Sequence, residues 1–329
     1  MRRRLWFILV LLTLGIGWGS TQSLGKIAVS GERGYFALIF WQLVIGVVVL
    51  GAVLAFRRRS VPVSRSTLRF AVIVAFIGTL IPNTSFYIAV DRLPAGIMSI
   101  LISAVPLIAF PIALALGIDR FNLLRLGGLL FGVAGVALIA FPEGSLPDRA
   151  ALAWLPVALV GPFFYALEAN YVARFGTGGA DAVQAMFLAS LAGAAIALPV
   201  VVASGQWYWL APPFDRADAA LIISSAIHAC LYAGYVWLAT AAGPVFAGQT
   251  SYVVTGSGVL WAMLLLGERF SGWVWLALAV MLCGLFLVKP RPHPRPHPRP
   301  HSPPEPRHQP AAAPGGTDRA SDGLQKRTG

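Results

Sequence analysis

The sequence predicts an all-α polytopic membrane protein, with ten transmembrane helices arranged as two inverted five-helix repeats, and three observations carry that prediction. Of 329 residues, 57% are hydrophobic and only 12% charged, which is too little polar surface to coat a soluble globule. Such a chain belongs in a bilayer. Its uncharged runs come at about the 20 residues that a helix needs to cross a hydrocarbon core ~30 Å thick. The pattern of 87–140 then returns across 237–288. In the first copy an apolar segment, a break at Leu93-Pro94, another apolar segment and Asp119-Arg120-Phe121 lead into a segment carrying Gly128, Gly132 and Gly135. The second copy has its break at Gly243-Pro244, followed by Leu266-Gly267-Glu268-Arg269-Phe270 and Gly284. A shift of 150 lays Tyr87-Ile88-Ala89 on Trp237-Leu238-Ala239 and Pro94 on Pro244, and a shift of 149 lays Asp119-Arg120-Phe121 on Glu268-Arg269-Phe270.

Taken in order, the runs free of Asp, Glu, Lys and Arg are 5–25, 34–56, 70–90, 93–118, 126–142, 150–167, 182–214, 219–267 and 270–288. The run 219–267 is about twice one span, and Gly243-Pro244 divides it. Ser204-Gly205 and Pro212-Pro213 end the helix that starts at 182. Backbone groups in lipid must be satisfied within their own segment, and no barrel-type alternation is visible, so these runs are expected to be helices. The first repeat is placed at 1–142 and the second at 150–288. Residues 289–329, rich in Pro, Arg and His, are expected to form a disordered cytoplasmic tail.

Lys and Arg set the orientation. With the N-terminus inside, the inner segments hold eleven such residues (Arg2, Arg3, Arg4, Arg57, Arg58, Arg59, Arg65, Arg69, Arg120, Arg125, Arg174), against six outside (Lys26, Arg33, Arg92, Arg149, Arg216, Arg269). Both termini are then cytoplasmic, and the formal charge of +12 reflects this bias rather than nucleic-acid binding. Arg2-Arg3-Arg4 before an apolar run also suits a signal peptide, but small-residue cleavage chemistry is poorly formed. The stretch 19–26 also has a counterpart at 167–174, so a retained first helix is expected. Each half holds an odd number of helices, so the second begins on the opposite side of the membrane. The repeat is therefore inverted, an architecture that builds two nearly equivalent states around a central site.

Trp18-Gly19-Ser20 with Lys26, Leu-Gly-Glu-Arg-Phe at 266–270, its Asp-Arg-Phe counterpart and the Gly-bearing helices that follow resemble the EamA-type branch of the drug/metabolite transporter superfamily, across about 6–288. The first half departs from the usual Gly-Glu-Arg by reading Gly117-Ile118-Asp119-Arg120. The resemblance implies a secondary carrier of the cytoplasmic membrane that moves a small metabolite, an amino acid or related compound, outward by alternating access in exchange for protons. It implies no cofactor. A membrane sensor or scaffold without transport is the alternative.

A site is sought among polar groups stranded within the spans, since such groups are costly in hydrocarbon. Gln22 and Asn83 are amides in helices one and three, and Tyr87 follows Asn83 by four residues on the same face. Gln249 and Tyr252 are three apart in helix nine. These five are the candidate solute-binding residues, in a cavity between helices one, three, four, six, eight and nine. Glu168 is the carboxylate well inside a predicted helix, and it reads either as a snorkelling or Arg174-paired group or as a protonatable one. His228, with Tyr232 and Tyr235 on neighbouring turns, reads as a core histidine or a proton relay. Pro106 and Pro111 should bend helix four, with Gly256 and Gly258 as the weak point of helix nine. Glu268 is expected to meet the dipole of helix ten at an exposed corner.

Nothing in the sequence points to an enzyme, and none is expected. Gly256-Ser257-Gly258 has Thr255 where an intramembrane protease needs glycine, and no paired-His metal signature or phosphate loop is present. Cys230 and Cys283 read as small core residues, so no metal site is expected from them. His293, His297, His301 and His308 sit in the tail, where disordered spacer is the expected reading. The small-residue faces Gly127, Gly128, Gly132, Gly135 and Ala192–Ala195 suit close helix packing, within the chain or in a homodimer. The expected partners are a small-molecule solute and lipid.

Overall fold

A computed structural model describes residues 2–117, 119–142, 146, 148–242 and 244–288. The helices in chain order are α1 (Arg2–Val29), α2 (Tyr35–Phe56), α3 (Arg65–Val74), a π-helical turn Ala75–Leu80, α4 (Ile81–Arg92), α5 (Ala95–Leu101), α6 (Ala104–Ala115), α7 (Leu123–Ala140), a 3₁₀ segment Arg149–Trp154, α8 (Leu155–Phe175), α9 (Ala182–Ala203), α10 (Arg216–Ala242), α11 (Pro244–Gly248), α12 (Thr250–Leu266) and α13 (Gly272–Leu287). Joined across their breaks, nine spans among the described residues are long and apolar enough to cross a membrane. The remaining helix, α13, is apolar but 16 residues long, about 24 Å at the α-helical rise. This is a multi-pass, all-helical membrane protein.

Local chemistry sets the helix ends. Ser64 opens α3 and Asp181 opens α9 with reciprocal caps through Thr67 and Gln184. Asn122 caps α7 from its side-chain oxygen. Gly267, in the left-handed region at φ 68°, closes α12 where a Cβ would be strained.

The third and fourth spans are interrupted. In the third, the N–H of Ile81 reaches the Phe76 carbonyl five residues back, which removes the α-helical donor of the Ile77 carbonyl. Pro82 brings no N–H for Gly78. In the fourth, Ser103 and Val105 bond three residues back, to Ile100 and Ile102, and this break separates α5 from α6. The ninth span breaks the same way at Gln249, where Gln249 and Tyr252 bond back to Phe246 and Gln249. Gly256 and Gly258, the expected weak point, lie inside unbroken α12. Gly258 serves close packing instead, since a Cβ there would meet Ser99. Pro111 likewise sits within continuous α6.

Three spans pack on the one five places on: α2 on α9, α7 on α13, and α5 on α12. The first span α1 packs on α10 and α12, and the sixth, α8, packs on α4 and α6. At α7–α13 the backbones approach closely, and a Cβ on Gly128 or Gly284 would come 2.7 or 2.8 Å from the other's carbonyl. The largest core cluster lies toward the end that carries the α1–α2 and α4–α5 connections, with Leu38, Ile39, Leu93, Ile97, Ile100, Leu101 and Leu221 fully buried. Cys230 and Cys283 are exposed on the bundle surface rather than in its core. Uniformly apolar helices carry no stripe to say which face turns inward, so the sequence could not place them.

Candidate functional site

Pro82, Pro106 and Pro162 fall in three different spans, and all three line one cavity of about 320 Å³. Its wall comes from α1 (Trp18, Thr21, Gln22, Gly25), α4 (Asn83, Phe86, Tyr87), the α5–α6 break (Met98, Ile102, Val105), α8 (Ala158, Gly161, Tyr165), α10 (Ser224, His228) and the first turns of α12 (Ser251, Val254, Thr255), with Gln42 from α2. The elements are those of helices one, three, four, six, eight and nine, joined by one residue of helix two. No Asp, Glu, Lys or Arg is among the lining residues.

The polar groups are organised in pairs. Tyr165 Oη donates to Asn83 Oδ1 at 3.0 Å, and Tyr87 Oη donates to Gln42 Oε1 at 3.0 Å. Each pair leaves amide donors unengaged by these two bonds and able to meet a solute. Trp18 stands beside His228 and Tyr235, with ring centroids 6.0 and 5.5 Å away, and its indole Nε1–H is buried without a partner among the described residues. A smaller cavity of about 60 Å³ adjoins this one, shares Gln42, Asn83, Tyr165 and His228, and adds Gly78, Thr79, Ser225 and Tyr232.

Of the residues singled out from the sequence, Gln22, Asn83, Tyr87 and His228 meet in the cavity. Gln249 is exposed at the break of the ninth span, and Tyr252 lies one residue beyond lining residue Ser251; neither is in the wall. Glu168 sits one turn after Tyr165 with its carboxylate against Gly78, and a Cβ at Gly78 would fall 2.6 Å from Glu168 Cδ. Among the described residues Glu168 forms no ion pair, with Arg174 or otherwise, and Arg174 instead lies over Phe175. Sequence reasoning passed over Gln42 and Tyr165. The signal was there for Gln42, the single amide in the otherwise apolar α2, by the same criterion that selected Gln22. Tyr165, three residues before Glu168, looked like one more packing aromatic.

The Leu-Gly-Glu-Arg-Phe stretch does a different job from the one expected. Glu268 Oε1 and Oε2 accept from the N–H groups of Ala95 (2.8 Å) and Gly96 (3.0 Å). Its carboxylate therefore meets the positive end of the fourth span and not that of α13. Phe270 packs on Gly96, where a Cβ would overlap its ring. Lys26 Nζ donates to the carbonyls of Val90 (2.6 Å) and Leu93 (2.8 Å), so both sides of the α4–α5 corner are held. Sequence order cannot reveal this, because the groups come from distant segments.

The same end carries an aqueous-facing cluster. Arg33 pairs with Asp215 (2.7 Å) and Asp218 (2.9 Å) and lies 5.0 Å over the Tyr208 ring. Its hydrogen bond, with another from the Asp218 N–H, holds the Asp215 carboxyl below the usual carboxylate range. Burial, reinforced by Asp218, pushes the Tyr208 phenol up to about 12.

No curated protein matches the sequence. Among solved structures, one described as a crystal structure of a protein superposes with a TM-score of 0.59 at 18% identity, covering 85% of this chain and 94% of that one. That likeness concerns the fold alone. Residues 5–141 match the EamA-like transporter family. That match covers the α1, α4 and α5–α6 walls of the cavity, and the family matched there belongs to the drug/metabolite transporter superfamily.

Proposed function

We propose that the protein is a secondary carrier that moves a small metabolite, an amino acid or related compound, outward across the cell membrane by alternating access. The observation that carries this reading is the cavity itself. It is mostly apolar with a set of uncharged polar groups, central to six spans, and bordered by helix breaks in the fourth and ninth spans, the usual construction of a carrier site. A solute with net charge would be desolvated there without a counter-charge, so a net-neutral molecule fits best, with zwitterionic amino acids in that class. Gln22, Asn83 and Tyr87 contact it, and Gln249 and Tyr252 join when the break of the ninth span moves. Ten spans in two inverted halves, with both termini cytoplasmic, are supported by the packing of the second, fourth and fifth spans on their counterparts five places on. Glu168, without a cationic partner among the described residues, and His228 in the wall are the proton-coupling groups. Purified protein in proteoliposomes, tested with a panel of radiolabelled neutral metabolites at two pH gradients, should show saturable flux that rises with the gradient. Absence of flux for every compound, alongside stoichiometric binding of a partner protein, would favour a sensor instead.

A further inference from the structure

The shifts that align the two halves also align the parts of a clamp. At the α4–α5 corner, Lys26 holds the last carbonyls of α4 and Glu268 holds the first N–H groups of the fourth span. Each charge meets the helix end of opposite sign through charge-assisted bonds. By those shifts and that of 19–26 onto 167–174, Arg174 is the counterpart of Lys26, Asp119 of Glu268, and Pro244 of Pro94. Those counterparts are engaged differently. Arg174 is exposed, with its guanidinium 5.4 Å over the neighbouring Phe175 ring, and Asp119 pairs with Arg125 on its own side of the loop. Helix packing follows the same asymmetry: α5 rests on α12 at the clamped end, while α11 packs on α10 and α12.

We propose that Arg174 and Asp119 form a second latch, the disengaged twin of Lys26 and Glu268, and that the two latches exclude each other. In the alternate arrangement Arg174 donates to the carbonyls that end α10, while Asp119 turns from Arg125 to the N–H groups of Val245 and Phe246. Arg125 keeps its place over the Phe110 ring, 5.6 Å away in this structure. Lys26 and Glu268 then release the α4–α5 corner, and the cavity opens at that end as it closes at the other. The purpose of the latch rests on the carrier reading, whereas its geometry rests on the repeat and on the contacts above. Two arrangements biased in opposite directions by two charge pairs form a switch whose populations respond to either pair.

The test uses the full chain in membrane vesicles, with Cys230→Ser, Cys283→Ser and a cavity reporter, Ser251→Cys, labelled by a membrane-impermeant maleimide from the side of the 204–215 loop. Glu268→Gln should raise the labelling rate several-fold, with Lys26→Gln as a second variant should that protein fail to insert. Asp119→Asn and Arg174→Gln should lower it, and Glu268→Gln with Asp119→Asn together should restore a rate near the parent's. Shifts in the same direction from both pairs, or no shift from Asp119→Asn and Arg174→Gln, would overturn the proposal. Opposed shifts in a protein that moves no solute would support the latch and count against the carrier reading instead.

Discussion

Asn83 and Tyr165 carry the residue-scale test of the proposed site. The phenol donates to the Asn83 oxygen, which fixes that amide's orientation and leaves its NH₂ donors to other partners in the cavity both residues line. Tyr165→Phe removes one such bond, worth about 1 kcal/mol, and should raise KM about five-fold with kcat little changed. Flux against concentration in proteoliposomes checks it, and a fall in kcat alone would contradict a binding role. Glu168 is tested by a different readout. Glu168→Gln should leave flux down a solute gradient intact and flatten its dependence on pH, and an unchanged pH profile would remove the residue from proton coupling. At the aqueous end the sign of the pH effect follows from Asp215. Its pKa is lower folded than unfolded, so it contributes stability above the unfolded carboxyl value, ~3.9, and that contribution is lost as pH falls through the lowered folded value. Arg33→Gln should therefore melt below the parent at neutral pH and converge with it in strong acid, as read by thermal melting in detergent across pH.

Helix pairs carry the next level of organisation. Where α7 meets α13, Gly128 and Gly284 each face the other's backbone carbonyl, and a rigid backbone cannot yield as a side-chain tip can. Gly284→Ala should cost about 1–3 kcal/mol by overpacking, whereas Gly127→Ala, with open space around it, should be neutral. Melting of the two purified variants decides, and equal effects would refute close packing as the reason for the glycine. The same contrast explains what was readable in the sequence. Glycine-bearing helices announced close contacts, and nearly every span boundary was visible as the edge of an uncharged run. The partner of each glycine was not, because the apolar positions run round the whole helix and give no inward stripe. The break of the ninth span at Gln249, rather than at Gly256 and Gly258, was equally hidden. Gly258 instead packs against α1, where it and Gly19 approach each other.

For the whole molecule, the repeat and the clamp belong together. The expected arrangement of helices one, three, four, six, eight and nine around a cavity followed from repeat logic, and the cavity is found among them, with Gln42 added from helix two. The tail 289–329 lies outside the described residues, and its composition offers no core-facing pattern. Truncation after Lys289 should leave flux and membrane insertion unchanged in proteoliposomes, and lost flux with normal insertion would show that the tail participates.

The sequence by itself determined the solvent, the placement of nearly all spans and a short set of stranded polar residues, because bilayer thickness and the cost of burying charge act on each segment alone. Only the tertiary structure decided which of those residues share a cavity, that Cys230 and Cys283 face outward, and that Glu268 and Lys26 close on one corner from opposite ends of the chain. Those facts are settled by contacts between segments far apart in sequence, and uniformly apolar helices carry no mark of which neighbour they will meet.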